Sequence, residues 1–228
     1  MPHKTLLLLI ATAILLTFPA CSLKTAAPQK EPTSQPERAV PLPTTAASTP
    51  LDVKLYGVQT NAKKIVYILD HTGSMLDTFD FLRQETIRSV NSMHPVQQFN
   101  VVMFAESETL VYPQLQRATA ETKRDFATKM QQFRAQGMSD DLIDPSLNAF
   151  KAAFAMQPEV IFFLTDGRFD PRLMDIVSNQ LNKNKRVRIN TLAFVINDPI
   201  SEEQLKEMAK KNGGTYKFVS EKDLGKTE

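Results

Sequence analysis

The chain has 228 residues, of which 42% are hydrophobic and 23% are charged, a composition ordinary for a folded protein of one or two domains. With 27 Lys and Arg against 25 Asp and Glu, the formal net charge is only +2, which gives no electrostatic basis for binding nucleic acid. The chain contains one cysteine, so no internal disulfide is possible and any folded region depends on its apolar core.

Residues 1–20 are typical of a secretory signal peptide. Lys4 supplies a basic start, and the apolar stretch 5–18 is shorter than the ~20 residues of a membrane span. A small residue precedes Cys21, and this arrangement resembles a bacterial lipobox. We therefore expect Cys21 to become the lipidated N-terminus of a lipoprotein in the bacterial cell envelope. Ser22 resembles the sorting pattern for the outer membrane, which favours the outer membrane or periplasm and leaves the leaflet open. The alternative is an incidental cysteine in an ordinary signal peptide.

The segment 21–52 predicts an extended, disordered linker behind the lipidated Cys21. It is rich in Pro, Thr and Ala and contains no aromatic residue, so it has little apolar surface to bury. Such a linker would space a folded domain from the membrane surface. The remaining residues, 53–228, are predicted to form that single domain.

Strands and helices alternate from residue 53 onward. Near-continuous apolar runs predict strands at Val53–Val58, Lys64–Asp70, Phe99–Ala105, Val160–Thr165, Arg188–Val195 and Thr215–Val219. Apolar periodicity and start signals predict helices at Asp77–Met93 and Thr119–Arg134, after Asp144-Pro145, after Asp170-Pro171, and from a capping box at Ser201 to a glycine cap at Gly213.

This alternation indicates a doubly wound α/β fold of Rossmann-like type, with a mostly parallel central sheet flanked by helices. Strands that are apolar throughout are covered on both faces, as in parallel sheets. We interpret Val53–Tyr67 as an initial β-hairpin around residues 60–62, which places one antiparallel strand at the sheet edge.

Oxygen-bearing side chains follow two of the predicted strands. Asp70 ends an apolar strand, and Thr72 and Ser74 follow it at alternate positions. Asp166 comes directly after another apolar strand, and the loop 137–141 between two predicted helices offers a hydroxyl and two carboxylates. Ligands of open α/β sheets bind at the carboxyl ends of the strands. An all-oxygen set of this kind suits Mg²⁺, and Mn²⁺ or Ca²⁺ would also accept it.

The same residues resemble a known family. Residues 70–74, Asp-His-Thr-Gly-Ser, are similar to the DxSxS element of von Willebrand factor A (vWA) domains, whose site is called the metal-ion-dependent adhesion site (MIDAS). Ser139 lies where that family has a threonine, and Asp166, within Leu-Thr-Asp-Gly, lies where it has its last aspartate. Segments 190–194 and 213–219 extend the resemblance, which covers about residues 53–220.

The resemblance implies a function. Asp70, Thr72, Ser74, Ser139 and Asp166 would hold a divalent cation, with Mg²⁺ the first expectation, and an Asp or Glu of a protein partner would complete its coordination. The protein would then be an envelope-anchored binding module for adhesion or interaction, attached to the membrane by its lipid. The alternative is a metal-independent scaffold lipoprotein of the same fold with a degenerate site.

Enzymatic functions find little support in the residues. A phosphatase of the haloacid dehalogenase type needs a second acid two residues after its nucleophile, and Thr72 stands there after Asp70. A Ser-His-Asp hydrolase would have to use His71 or His94, and no G-x-S-x-G element is present. The sequence also lacks a Walker-type phosphate loop. We therefore expect that the protein is not an enzyme.

Overall fold

A mostly parallel sheet runs through the computed structural model. The structure describes residues 51–137, 143–167, 169–194 and 198–224. Within those ranges the sheet has seven strands. Two further strands form a small antiparallel sheet of their own. The strands are β1 (Val53–Leu55), β2 (Val58–Thr60), β3 (Lys64–Asp70), β4 (Gln98–Phe104), β5 (Glu108–Leu110), β6 (Gln116–Arg117), β7 (Val160–Thr165), β8 (Arg188–Phe194) and β9 (Tyr216–Val219). The helices are α1 (Phe79–Ser92), α2 (Ala120–Met130), α3 (Asp144–Ala155), α4 (Arg172–Asp175), which continues as a π-helical stretch (Ile176–Leu181), and α5 (Pro199–Lys211).

The strand order of the large sheet is β5-β4-β3-β7-β8-β9, and β6 also pairs with β4. Strands β4, β3, β7, β8 and β9 are mutually parallel, whereas β5 and β6 run antiparallel to β4. After β3 the chain passes to β4 on one side and then returns to β7 on the other. The carboxyl ends of β3 and β7 therefore flank the switch point at which open α/β sheets bind ligands.

Helices cover both faces of this sheet. Alternate residues of each central strand enter two separate cores, so that in β3 Tyr67 and Leu69 pack on one face while Val66 and Ile68 pack on the other. Helices α1 and α2 contribute to the first core, and α3, α4 and α5 contribute to the second. This three-layer arrangement explains why the strands are apolar throughout, and it confirms the predicted doubly wound α/β class.

The predicted antiparallel edge strand exists, but different residues form it. Strands β5 and β6 lie along β4, whereas residues 53–60 form the separate β1–β2 sheet. The hairpin turns at Tyr56 and Gly57, with φ of 46° and 78°, a two-residue turn that suits the twist of paired strands. Our placement of the hairpin turn at residues 60–62 is therefore wrong, because those residues lead directly into β3.

Two predicted helix starts are also corrected. Helix α5 begins at Pro199, and its N-cap is Asp198, whose carboxylate accepts hydrogen bonds from the backbone N–H groups of Ile200 and Ser201. Ser201 is therefore not the N-cap of a capping box. Asp144 is the first residue of α3 and not its N-cap. Both helices have a proline in the first turn. In α5 the residue before Pro199 is the N-cap, whereas in α3 the N-cap is Ile143, two residues before Pro145.

The helices are moderate in length, and α1, with 14 residues, is the longest among those described. Across the described ranges, no helix combines the length and apolar character needed to cross a membrane. Each of the long helices packs apolar side chains against the sheet, as Phe79 and Leu82 of α1 do.

The end of α5 generates a stability prediction. A Cβ added at Gly214 would lie 1.8 Å from the carbonyl oxygen of Ile189, whereas one added at Gly213 meets nothing, although its φ of +65° is unfavourable for other residues. We expect Gly213→Ala to lower the free energy of unfolding by about 1–2 kcal/mol, because alanine is unfavourable at this φ. We expect Gly214→Ala to lower it by at least twice as much, because the backbone at Ile189 must move to make room for the new Cβ. Urea denaturation of both variants measures the difference, and equal losses would contradict the close packing at Gly214.

Candidate functional site at the carboxyl ends of β3 and β7

Asp70 ends strand β3 and is almost fully buried, with 1% of its surface exposed. Its Oδ1 accepts hydrogen bonds from the backbone N–H of Thr72 at 3.0 Å and from the Thr72 hydroxyl at 2.7 Å. Its Oδ2 accepts a hydrogen bond from the Thr165 hydroxyl at 2.7 Å. The carboxylate is therefore held in one orientation by donors on two strands, β3 with its following turn and β7.

The turn after β3 brings two hydroxyl groups to the mouth of the site. A short 3₁₀ turn at Gly73–Met75 follows Thr72. The Oγ1 of Thr72 and the Oγ of Ser74 lie 2.8 Å apart. Ser74 is exposed, Thr72 is half-buried, and Asp70 lies beneath them. The three predicted residues of this turn thus form a continuous chain of oxygens from the surface to the buried carboxylate.

Asp166 follows β7 directly and is half-buried. Strands β3 and β7 pair in parallel with Leu69 opposite Leu164, so the two chains leave the sheet side by side. The charge of Asp166 contributes to raising the pKa of Asp70, which places both carboxylates in one electrostatic neighbourhood. The structure therefore brings Asp166 to the same end of the sheet as the Asp70–Ser74 turn.

The segment after α2 is fixed against this turn. The backbone carbonyl of His71 accepts a hydrogen bond from the N–H of Gln136 at 2.7 Å, and its ring Nδ1 lies 3.2 Å from the carbonyl oxygen of Arg134. A Cβ at Gly73 would lie 3.2 Å from the carbonyl oxygen of Gln136, so the glycine permits this close approach. The described chain continues to Gly137. Ser139, two residues later, lies outside the described residues, as does Cys21.

Burial dominates the electrostatics of the site. The pKa of Asp70 is raised from 3.8 to about 6, chiefly by burial and next by the negative charge of Asp166, while the hydrogen bonds from Thr165 and Thr72 act in the opposite direction. Burial also lowers the pKa of the adjacent His71, which favours its neutral ring. Among the described residues, no cationic group lowers the pKa of Asp70, whereas the charge of a second carboxylate raises it. A cation bound beside these two carboxylates would therefore be stabilised.

The donor set fits a hard divalent cation. The described side chains at the site offer carboxylate oxygens from Asp70 and Asp166 and hydroxyl oxygens from Thr72 and Ser74, and Mg²⁺, Mn²⁺ and Ca²⁺ all prefer oxygen ligands. Within the described part of the chain, no cluster of three or more His, Cys, Asp and Glu side chains is arranged to hold a metal ion. The present site differs in kind from such a cluster, because hydroxyls supply part of its oxygens.

Sequence reasoning missed one residue of this site, Thr165. It is the last residue of an otherwise apolar strand, fully buried, and its hydroxyl donates to Asp70. In the parallel register Leu69 pairs with Leu164, and Asp70 and Thr165 are the next residues of the two strands. The sequence alone does not give this register, so it could not identify Asp70 as the partner of the buried Thr165 hydroxyl.

Comparisons with known proteins agree with this geometry. Residues 63–218 match the family described as von Willebrand factor type A domain. Human von Willebrand factor A domain-containing protein 3B is 30% identical over 161 residues, which cover 68% of this chain and 12% of that protein. The chain spans between 12% and 22% of the length of the first curated relatives that it matches.

Solved structures share the fold. A von Willebrand factor type A structure from Catenulispora acidiphila has a TM-score of 0.57 and 19% identity, covering 71% of this chain and 40% of its own. An aerotolerance-related membrane protein from Bacteroides fragilis has a TM-score of 0.51 and 15% identity, covering 70% of this chain and 92% of its own. With a family match over most of the folded region and the same architecture, this chain belongs to the von Willebrand factor type A domain family.

Proposed function

We propose that this protein is a divalent-cation-dependent binding module of the bacterial cell envelope that recognises an acidic residue of a protein partner. The observation that carries the proposal is the buried Asp70 carboxylate, connected to the Thr72 and Ser74 hydroxyls and electrostatically coupled to Asp166 at the switch point of the sheet. The proposal includes no catalytic step, so the protein would bind its ligand without changing it.

The cation would be held by Asp70, Thr72, Ser74, Ser139 and Asp166. When bound, a divalent cation would offset the two negative charges and accept a further oxygen ligand from the partner. Thr72 supports this assignment because its hydroxyl proton is directed to Asp70, which leaves a lone pair of Oγ1 facing the Ser74 side. The exposed position of Ser74 gives a partner access to the mouth of the site.

Ser139 fits the proposal by its position along the chain. Gln136 contacts His71 through its backbone and approaches Gly73 closely, so the chain enters this loop beside the Asp70–Ser74 turn. Ser139 comes three positions after Gln136, which corresponds to a chain length of about 10 Å at most. Its place in the sequence is therefore compatible with the proposed ligand role.

Exposed apolar side chains at the same edge support a protein partner. Leu76, two residues after Ser74, is 70% exposed, and Ile200 in the first turn of α5, the helix that follows β8, is 69% exposed. Both follow the carboxyl ends of parallel strands, as the candidate site does. Burying such side chains against a partner would remove apolar surface from water and so favour association.

The point at which the chain enters the fold supports the proposed anchor. The carbonyl of Leu51 accepts a hydrogen bond from the Gln97 side chain at 2.9 Å, directly before strand β4. This entry lies at the amino ends of the strands, about 20 Å from Asp70 if β3 rises ~3.3 Å per residue. A lipid at Cys21 would then be joined to the domain through the linker at the edge opposite to the candidate site. The family relative from Bacteroides fragilis is itself a membrane protein.

A metal-independent scaffold remains the second candidate. The observation that favours it is that Asp70 already accepts hydrogen bonds on both oxygens, so the fold satisfies this carboxylate without a cation. Its partner would bind elsewhere on the domain, and chelation would not release it.

Cation binding is the first test. Titration of the purified protein with Mg²⁺ or Mn²⁺ should give a binding heat and, at about a hundredfold excess over Kd, raise the Tm by about 5–10 °C. Asp70→Ala and Asp166→Ala should abolish both signals because each removes a carboxylate ligand. Asp77→Ala, which removes an exposed carboxylate just beyond the turn, should behave as wild type. A wild-type protein without heat or thermal shift would exclude the cation site.

The pH dependence of stability tests the state of Asp70. Because its folded-state pKa of about 6 lies above the unfolded value of 3.8, the folded protein holds this proton more tightly. The resulting stabilisation is complete below about pH 4 and is lost as pH rises through about 6, a loss of about 3 kcal/mol. Urea denaturation in metal-free buffer should show this loss as a difference between wild type and Asp70→Asn, which cannot ionise. Parallel pH profiles would contradict a raised pKa of the buried Asp70 carboxylate.

Partner capture separates the two candidate functions. Immobilised protein incubated with bacterial envelope extract and Mg²⁺ should retain a partner that EDTA releases and that Asp166→Ala fails to bind. Leu76→Ser should reduce capture about tenfold without changing cation affinity, because burial of one leucine side chain contributes roughly 1.5 kcal/mol or more. Val96→Ser, an equally apolar change at the amino edge where Val96 is 50% exposed, is the matched control. Capture that survives EDTA and Asp166→Ala supports the scaffold function.

A further inference from the structure

We propose that Thr165 is a positioning residue that joins the two halves of the candidate site and sets its cation affinity, an inference that rests on the proposed function. Thr165 does not belong to the predicted ligand set. It acts through Asp70 on one side and through the turn that carries Asp166 on the other.

The hydrogen bonds of Thr165 define this role. Its Oγ1 donates to Oδ2 of Asp70 at 2.7 Å and accepts from the backbone N–H of Gly167 at 3.0 Å. One hydroxyl therefore connects the end of β3 with the turn after β7. Because it has a single proton, donation to Asp70 leaves its lone pairs for the Gly167 amide, and the two bonds support one orientation.

Solvent cannot easily replace this link. Thr165 has no exposed surface and Asp70 has 1%. Loss of the hydroxyl would leave Oδ2 of Asp70 and the N–H of Gly167 without this partner in a buried environment, which favours movement of both groups. The other oxygen of Asp70 would still be held by Thr72, so the carboxylate could rotate about its remaining contacts.

The choice of threonine also has a physical reason. Its branched Cβ restricts χ1, which keeps the hydroxyl directed at Asp70. Serine retains the hydroxyl but rotates more freely, whereas valine retains the shape and the branching but has no hydrogen-bonding group. These two substitutions separate the hydrogen bond from the packing.

Thr191 provides a matched control. It is also fully buried, lies in the neighbouring strand β8 and donates its hydroxyl to the carbonyl of Leu205 at 2.8 Å. Thr191→Val removes a buried hydrogen bond of similar length outside the site. It therefore reports the general consequence of this substitution in the core of the sheet.

The experiment compares purified wild type with Thr165→Val, Thr165→Ser and Thr191→Val, each checked for folding by circular dichroism. In the metal-free protein, amide hydrogen exchange of Gly167 and Thr72 should accelerate tenfold or more in Thr165→Val and remain unchanged in Thr191→Val. In a Mn²⁺ titration, Thr165→Val should weaken Kd tenfold or more, Thr165→Ser less than about threefold, and Thr191→Val should match wild type.

Unchanged exchange of both amides in a folded Thr165→Val protein would overturn the inference, as would a wild-type Kd for that variant. An equal loss of affinity in Thr191→Val would also overturn it, because the effect would then be general destabilisation. If wild type itself binds no cation, the proposed function fails. The exchange rates of the Gly167 and Thr72 amides then decide by themselves whether Thr165 joins the two turns. Should Thr165→Val fail to fold, Thr165→Ala, which also lacks the hydroxyl, replaces it, and wild-type exchange of both amides or a wild-type Kd in that variant overturns the inference.

Discussion

The Asp70 carboxylate is buried at the end of a central strand, a placement that costs several kcal/mol unless hydrogen bonds or opposite charge compensate it. The backbone and hydroxyl of Thr72 and the hydroxyl of Thr165 supply that compensation. The pKa of Asp70 is nevertheless raised to about 6, because burial and the charge of Asp166 outweigh these bonds. The fold therefore keeps an electrostatically unfavourable group in a fixed orientation, as the proposed cation site would require.

The scaffold explains how this is possible. Parallel pairing of β3 with β7 places Asp70 and Thr165 side by side and directs the following turns to the same edge of the sheet. Helices on both faces exclude water from the strands, and the segment after α2 is held on the turn through His71. The turn after β3, the end of β7 and the segment after α2 thus meet at one edge of the sheet. The hydrogen bonds that join them involve backbone groups or short side chains, which limits how far the three stretches can move relative to one another.

Local signals predicted the central strands with good accuracy. Strands β3 and β7 have the predicted bounds, because continuous apolar runs that end at Asp or Thr mark a buried strand clearly. The edge of the sheet was predicted less well. Strands β5 and β6 are short and only partly buried, so they carry no strong apolar pattern. Residues 53–60 alternate as an edge strand would, but their tight turn at Tyr56-Gly57 pairs them with each other.

The fold class was predictable from the alternation of strands and helices along the chain. The position of Asp70 and Asp166 at strand ends and the alternate hydroxyls of Thr72 and Ser74 follow from patterns within a few residues. The hydrogen bond from Thr165 to Asp70 and the contact of His71 with the segment leading to Gly137 could not be predicted in this way. These contacts join residues 95 and 63 positions apart. No local pattern encodes them, because strand register and the packing of one loop on another are set by the whole core.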